Sequence, residues 1–179
     1  IIQSVKRGLS PYEDFEGYLA LAHNPDMRII ISNTTEAGIV YTGKDSFDDK
    51  PQASYPGKLT RLLYERFTAL GGKKGTGFIL LPCELIDYNG RNLEECCMKT
   101  AEQWGLSEEF KTWLKTENVF CSTLVDRIVT GYPRGEAESL YEEFGYRDNM
   151  LDTAEPFGLW VIEGPAWIEN ELPFKKAGC

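Results

Sequence analysis

Phe120-Cys121-Ser122-Thr123-Leu124-Val125-Asp126-Arg127-Ile128-Val129-Thr130-Gly131-Tyr132-Pro133 decides how this chain is read. The stretch runs apolar, sets Asp126 beside Arg127, and stops at a Gly and a Pro. Charges resist burial unless they are paired. An acid and a base at the end of a strand-like run therefore serve something other than packing. Open α/β sheets place their ligand-binding groups at that position, beyond the carboxyl ends of strands.

Working outward, Arg28-Ile29-Ile30-Ile31-Ser32 and Phe78-Ile79-Leu80-Leu81-Pro82-Cys83 are two more short apolar runs bounded by turn signals, the pattern of buried strands. Phe157 to Ile162 is a last strand, closed by Glu163-Gly164-Pro165. Helical patterns lie between them. Ser10, Pro11 and Glu13 form a capping box that opens a helix carrying Tyr12, Phe15, Leu19 and Ala22, and Asn24-Pro25-Asp26 ends it. Residues 41–55 read as a polar loop. Pro56 starts a helix with Leu59, Leu62, Leu63, Phe67 and Leu70 on one face, stopped by Gly71-Gly72. A third helix carries Leu93, Cys96, Cys97, Ala101 and Trp104, and Ser107 caps a fourth. A helical turn is expected at Ala137–Phe144. Asp87-Tyr88-Asn89-Gly90 has turn chemistry. Strands alternating with helices predict an α/β fold with a largely parallel sheet. The chain opens on the strand-like Ile1-Ile2-Gln3-Ser4-Val5, and no G-x-G-x-x-G occurs in it, so it reads as beginning within a domain.

The 179 residues suffice for one domain, and 42% hydrophobic content supports a core. A net charge of −9 argues against nucleic-acid binding, while leaving room for local bases to hold a carboxylate. No apolar run reaches the roughly 20 residues of a membrane helix, and no signal segment opens the chain. Five cysteines without a C-x-x-C pair, and the single His23, argue against zinc and fit reduced thiols in a cytoplasmic protein. His23 reads as a helix C-terminal cap.

Three polar clusters follow strands: Ser32-Asn33-Thr34-Thr35-Glu36, then Glu84 with Asp87 and Asn89, then Asp126-Arg127. Parallel strands gather such ends on one sheet edge. Glu36 is a candidate acid or base if partly buried. Caps, turns and surface ion pairs account for the same residues without chemistry. Paired carboxylates such as Glu36 and Glu84 also leave carbohydrate hydrolysis open, and a non-catalytic binding module is a third reading.

The runs Ile30–Ile39, Leu81–Gly90 and Phe120–Val129, continued by Trp160-Val161-Ile162-Glu163-Gly164-Pro165 and Leu172-Pro173-Phe174, resemble the mannitol dehydrogenase family of long-chain polyol dehydrogenases. The likeness extends in order over almost the whole chain. It implies the later part of a Rossmann-type domain, 1–179 forming one partial α/β domain, with NAD as cofactor and a sugar acid as substrate. The reaction implied is the interconversion of D-tagaturonate and D-altronate by hydride transfer, with fructuronate reduction or mannitol oxidation as the near alternatives.

By the resemblance, Asn33, Thr35, Glu36, Val125 and Asp126 lie by the cofactor, Glu84, Asn89, Asp126 and Arg127 by the substrate, and Glu36, Asn89 and Asp126 carry the chemistry. The Thr-Glu-x-Gly motif falls on Thr35, Glu36 and Gly38, and Val-Asp-Arg-Ile on Val125 to Ile128. Mannitol-type members have Cys-Asp-Asn where this chain has Cys83-Glu84-Leu85. Leu85 cannot donate the hydrogen bond of that Asn, so the role is expected to fall on Glu84 or Asn89. The family's Gly-rich loop is expected before Ile1, and its catalytic Lys and helical domain beyond Cys179. The piece alone is then expected to be inactive and prone to self-association through an exposed sheet edge or interdomain face.

Overall fold

A computed structural model describes residues 4–179. The chain folds as two compact units. The first comprises the residues up to Thr123 together with Ile162–Cys179, and the second is Leu124–Val161.

The first unit is built on a three-stranded parallel sheet: β1 (Ile29–Ser32), β2 (Ile79–Pro82) and β3 (Val119–Phe120), in the order β1-β2-β3. Ile29 pairs with Ile79 and Ser32 with Pro82, while Ile79 pairs with Val119. All four residues of β2 are buried, as a central strand covered on both faces requires. Parallel neighbours need crossovers, and helices supply them. Helix α2 (Tyr55–Leu70) lies between β1 and β2, with α3 (Asn89–Gln103) and α4 (Glu108–Glu117) between β2 and β3. Ser54 caps α2 by accepting from the Gly57 amide, and Gly71, at φ 68°, closes it. Ser107 caps α4.

The core lies where these helices meet the sheet, on Leu59, Leu63, Leu80, Leu93, Phe110 and Leu114. Tyr64, Phe67, Phe110 and Trp113 pack as a ring cluster, Tyr64 meeting Phe110 edge-on at 5.2 Å between centroids. Such pairs add about 0.5–1.5 kcal/mol each beyond their burial. Cys83, Cys96, Cys97 and Cys121 are buried and Cys179 is exposed; all five are free thiols. Burial pushes Cys97 up to about 12 and Cys121 up to about 11, so both stay protonated and inert at neutral pH.

Several expectations change. The first helix does not open at Ser10. That segment forms a turn, and α1 (Phe15–Ala20) starts after Asp14, whose carboxylate accepts from the Gly17 amide at 2.8 Å. His23 ends a short 3₁₀ turn that follows α1, and its ring lies 2.8 Å from Glu65 of α2 rather than capping a helix. Asn89 and Gly90 are not a turn but the first residues of α3. Tyr88 before them takes a left-handed conformation, φ 53°, which frees the helix to begin at Asn89. The expected strand over Ile1–Val5 lies in part outside the described residues, and Ser4 and Val5 belong to no regular element.

The stretch after β3 is broken at Cys121, whose amide still bonds Leu80 O, and resumes as β4 (Ser122–Asp126). β4 forms a two-stranded sheet with β7 (Leu159–Glu163). The second unit holds β5 (Val129–Gly131), paired antiparallel with β6 (Thr153–Ala154), and α5 (Ala137–Phe144). Among the described residues the parallel sheet is thus three strands wide, and the β4-β7 and β5-β6 ribbons are separate sheets. Among the described residues no helix is long and apolar enough to cross a membrane, and no group of three or more His, Cys, Asp or Glu is placed to hold a metal.

Candidate functional site

Because β1, β2 and β3 run parallel, their carboxyl ends share one edge, and the segments leaving them are the candidate site. Glu84 sits two residues past β2 and is 1% exposed. A buried carboxylate must be met by donors, and three meet it. Ser32 Oγ donates to Oε2 at 3.0 Å, and the Thr34 amide and Thr34 Oγ1 each donate to Oε1 at 3.0 Å. One side chain just past β2 therefore ties down the last residue of β1 and the turn that leaves it. Burial raises the Tyr55 phenol well above its ordinary value, with the Ser32 hydroxyl acting against that rise and the Glu84 charge adding to it.

Asn89 is fully buried. Its Nδ2 lies 2.9 Å from Pro82 O, 3.0 Å from Glu84 O and 2.9 Å from Thr123 O. Its Oδ1 accepts from the Gly90 and Thr123 amides at 2.9 and 2.8 Å. Asn89 thus stitches the ends of β2 and β4 to the first turn of α3. The approach there is close. A Cβ on Gly90 would lie 2.3 Å from Cys121 O, so only glycine lets α3 seat against the strand end.

Glu84 and Asn89, expected beside the substrate, have these polar atoms engaged within the first unit. Leu85 itself points outward, 63% exposed. Asn33, Thr35 and Glu36 are exposed on the turn that Glu84 anchors. The partial burial that would tune Glu36 as an acid or base is absent from this unit. Val125, Asp126 and Arg127 belong to the second unit. Val125 is partly buried and the two charged residues are exposed. Arg127 Nε donates to Glu155 O at 2.9 Å, and Glu155 in turn accepts from the Ile128 amide at 2.8 Å.

Sequence reasoning named Thr34 only as one member of a polar cluster, without its link to Glu84, and missed Thr123. A Thr beside the Thr-Glu motif carries no mark of a buried partner 50 residues away. For Thr123 no sequence signal exists.

A parallel sheet wrapped by crossover helices, with polar groups massed at the strands' carboxyl ends, defines a Rossmann-type α/β domain. Comparison with known proteins agrees. The model of the mannitol dehydrogenase Rossmann domain matches residues 1–176. The chain belongs to the mannitol dehydrogenase family and contributes its Rossmann domain.

Altronate oxidoreductase of Cronobacter sakazakii is 55% identical over 176 residues, covering 98% of this chain and 36% of that protein. The enzymes of the same name from Pectobacterium carotovorum and Escherichia coli O7:K1 are each 56% identical over the same lengths. The chain thus spans about a third of the length of these curated relatives. Among solved structures, Pseudomonas fluorescens mannitol 2-dehydrogenase, in ternary complex with NAD and D-mannitol, matches with TM-score 0.71 and 21% identity, over 90% of this chain and 34% of that one. A substrate-free D-sorbitol dehydrogenase matches with TM-score 0.63 and 22% identity, over 84% and 32%. These likenesses confirm the Rossmann-type fold. Family membership is shown by the match to the mannitol dehydrogenase Rossmann domain.

Proposed function

We propose that this chain is the Rossmann portion of an NAD-dependent oxidoreductase that interconverts D-tagaturonate and D-altronate. The observation that carries the reading is the match along residues 1–176 to a polyol dehydrogenase domain, with relatives at 55–56% identity that are named for altronate. The mannitol and sorbitol dehydrogenases share only about a fifth of their residues with it. That contrast favours a sugar acid over a neutral polyol.

The sheet edge fits the cofactor in one respect. The turn Asn33–Glu36 leaves the carboxyl end of a parallel strand, is exposed, and is braced from beneath by Glu84. The nicotinamide half of a dinucleotide takes that position in doubly wound sheets. No G-x-G-x-x-G lies within the 179 residues to cradle its pyrophosphate. When bound, NAD supplies or accepts the hydride.

This chain's residues do the positioning. Asn33 and Thr35 of the first unit offer polar groups to the cofactor, and Val125 of the second unit is an apolar cofactor residue by the resemblance. Glu36 and Asp126 are the carboxylates for orienting cofactor and substrate hydroxyls. Arg127 is the cation for the sugar acid's carboxylate, since a guanidinium pairs with a carboxylate in two parallel hydrogen bonds. By the same reading the protein works in the cytoplasm, as its five unpaired thiols support.

On this reading the protein self-associates through β1, which is an edge strand among the described residues. A monodisperse monomer by light scattering at high concentration counts against the association. The function is tested by NADH oxidation with D-tagaturonate, D-fructuronate and D-fructose in parallel, using the protein with any sequence that flanks these residues in its gene. Turnover on D-tagaturonate alone is expected. Equal turnover on D-fructose overturns the substrate assignment.

A further inference from the structure

Glu84 is the one fully buried carboxylate among the described residues that joins two segments at the candidate edge, and resting on the function proposed above it acquires a role of its own. We infer that Glu84 is a positioning residue, whose carboxylate sets the turn Asn33–Glu36 at the cofactor edge through Ser32 and Thr34, without touching cofactor or substrate.

The geometry carries this. Glu84 is 1% exposed, so neither cofactor nor sugar acid reaches its oxygens. Each oxygen is bonded from the β1 side, Oε2 by Ser32 and Oε1 twice by Thr34, across 50 and more residues of sequence. The Thr34 amide bond fixes the backbone one residue before Thr35 and two before Glu36. Below, Glu84 is itself held, since its carbonyl oxygen accepts from Asn89 Nδ2 and Asn89 spans to Thr123. The turn is also closed from its far side: a Cβ on Gly38 would lie 1.8 Å from Thr34 Oγ1, so Thr34 fills the space under Gly38. A carboxylate suits this place because all three partners donate and it only accepts. Glutamine keeps one oxygen for Thr34 and turns its amide hydrogens toward Ser32 Oγ, which can accept. Alanine leaves Ser32 and the Thr34 amide with nothing.

The test compares Glu84→Ala and Glu84→Gln in the protein with any sequence that flanks these residues in its gene. It reads NADH affinity, kcat and KM for D-tagaturonate, and hydrogen exchange of the Thr34–Glu36 amides against that of Leu80 and Leu81. Loss of charge-assisted hydrogen bonds to a backbone amide predicts at least about tenfold faster exchange at Thr34 in Glu84→Ala. It also predicts about tenfold weaker NADH binding, with the β2 amides unchanged. Glu84→Gln is expected to recover most of both.

Unchanged Thr34 exchange in Glu84→Ala overturns the inference. So does a Glu84→Gln variant as slow as Glu84→Ala with Thr34 still protected, because the charge itself would then be at work. If Glu84→Ala exposes Leu80 and Leu81 equally, Glu84 is a fold residue only and the inference falls. If the wild-type protein turns over no sugar acid, the proposed function fails, while the exchange and NADH readouts still decide the role of Glu84.

Discussion

Arg66 shows how much a single residue organises here. It lies on α2, fully buried, and makes no ion pair among the described residues. Its guanidinium instead donates to carbonyl oxygens: Nε to Thr76 at 2.8 Å, Nη1 to Ala22 at 3.1 Å and to Asn24, and Nη2 to Met27 at 3.0 Å. It also lies over the Phe78 ring, 4.5 Å from the centroid. One rigid fork thus gathers the segment before β1 and the turn before β2, both of which aim the sheet. Hydrogen bonds from charged donors contribute about 1.5–3 kcal/mol each. Arg66→Met is therefore expected to cost about 3 kcal/mol or more in urea unfolding, and Arg66→Lys to recover only part, since an ammonium lacks the fork. A loss under about 1 kcal/mol for Arg66→Met would contradict this account. Nothing in the sequence marked Arg66. It sits within the helical run Leu62-Leu63-Tyr64-Glu65-Arg66-Phe67, where an arginine reads as surface. Glu84 and Asn89 were legible as unusual, but as ligand groups. Their burial depends on partners 34 to 52 residues away, a distance that residue types do not encode.

At the scale of elements, the sequence was most readable where local signals act alone. Gly71 after Leu70 and Ser107 before α4 each cap as their chemistry dictates. It was least readable where two signals compete, as at Ser10 against Asp14, or where one residue adopts an uncommon conformation, as Tyr88 does. The loop between β1 and α2 read as merely polar, yet it is a built element. Asp45, 6% exposed, accepts from the Ala53 amide at 2.8 Å, from the Ser54 amide at 3.2 Å and from the Ser54 hydroxyl. Gln52 Nε2 lies 3.1 Å from each of three carbonyls in the same loop. Burial alone pushes the Asp45 carboxyl up, but the Ser54 and Ala53 hydrogen bonds prevail and hold it below the usual carboxylate value. A carboxyl depressed by folding adds stability above its unfolded pKa of about 3.9, and that stability is lost as pH falls through the folded value. The stability difference between wild type and Asp45→Asn is therefore expected to be largest near neutrality and to shrink as pH falls below about 4. A difference constant from pH 7 to pH 3, in urea unfolding at each pH, would show that Asp45 gives no such pH-linked support.

For the whole molecule, the alternation of apolar runs and helical faces carried the fold class, because parallel strands demand crossovers. The division into two units was not legible. Asp126 and Arg127 read as the polar end of one strand, whereas the strand breaks at Cys121 and the pair falls in the second unit. The central claim joins this fold to hydride transfer on a sugar acid, and deuteride transfer from NADH deuterated at C4, with D-tagaturonate as acceptor, tests it most directly. The account predicts that the deuterium is carried to the new carbinol carbon of D-altronate in step with NADH oxidation. A product without the label, or conversion of D-tagaturonate that proceeds equally without NADH, would contradict it.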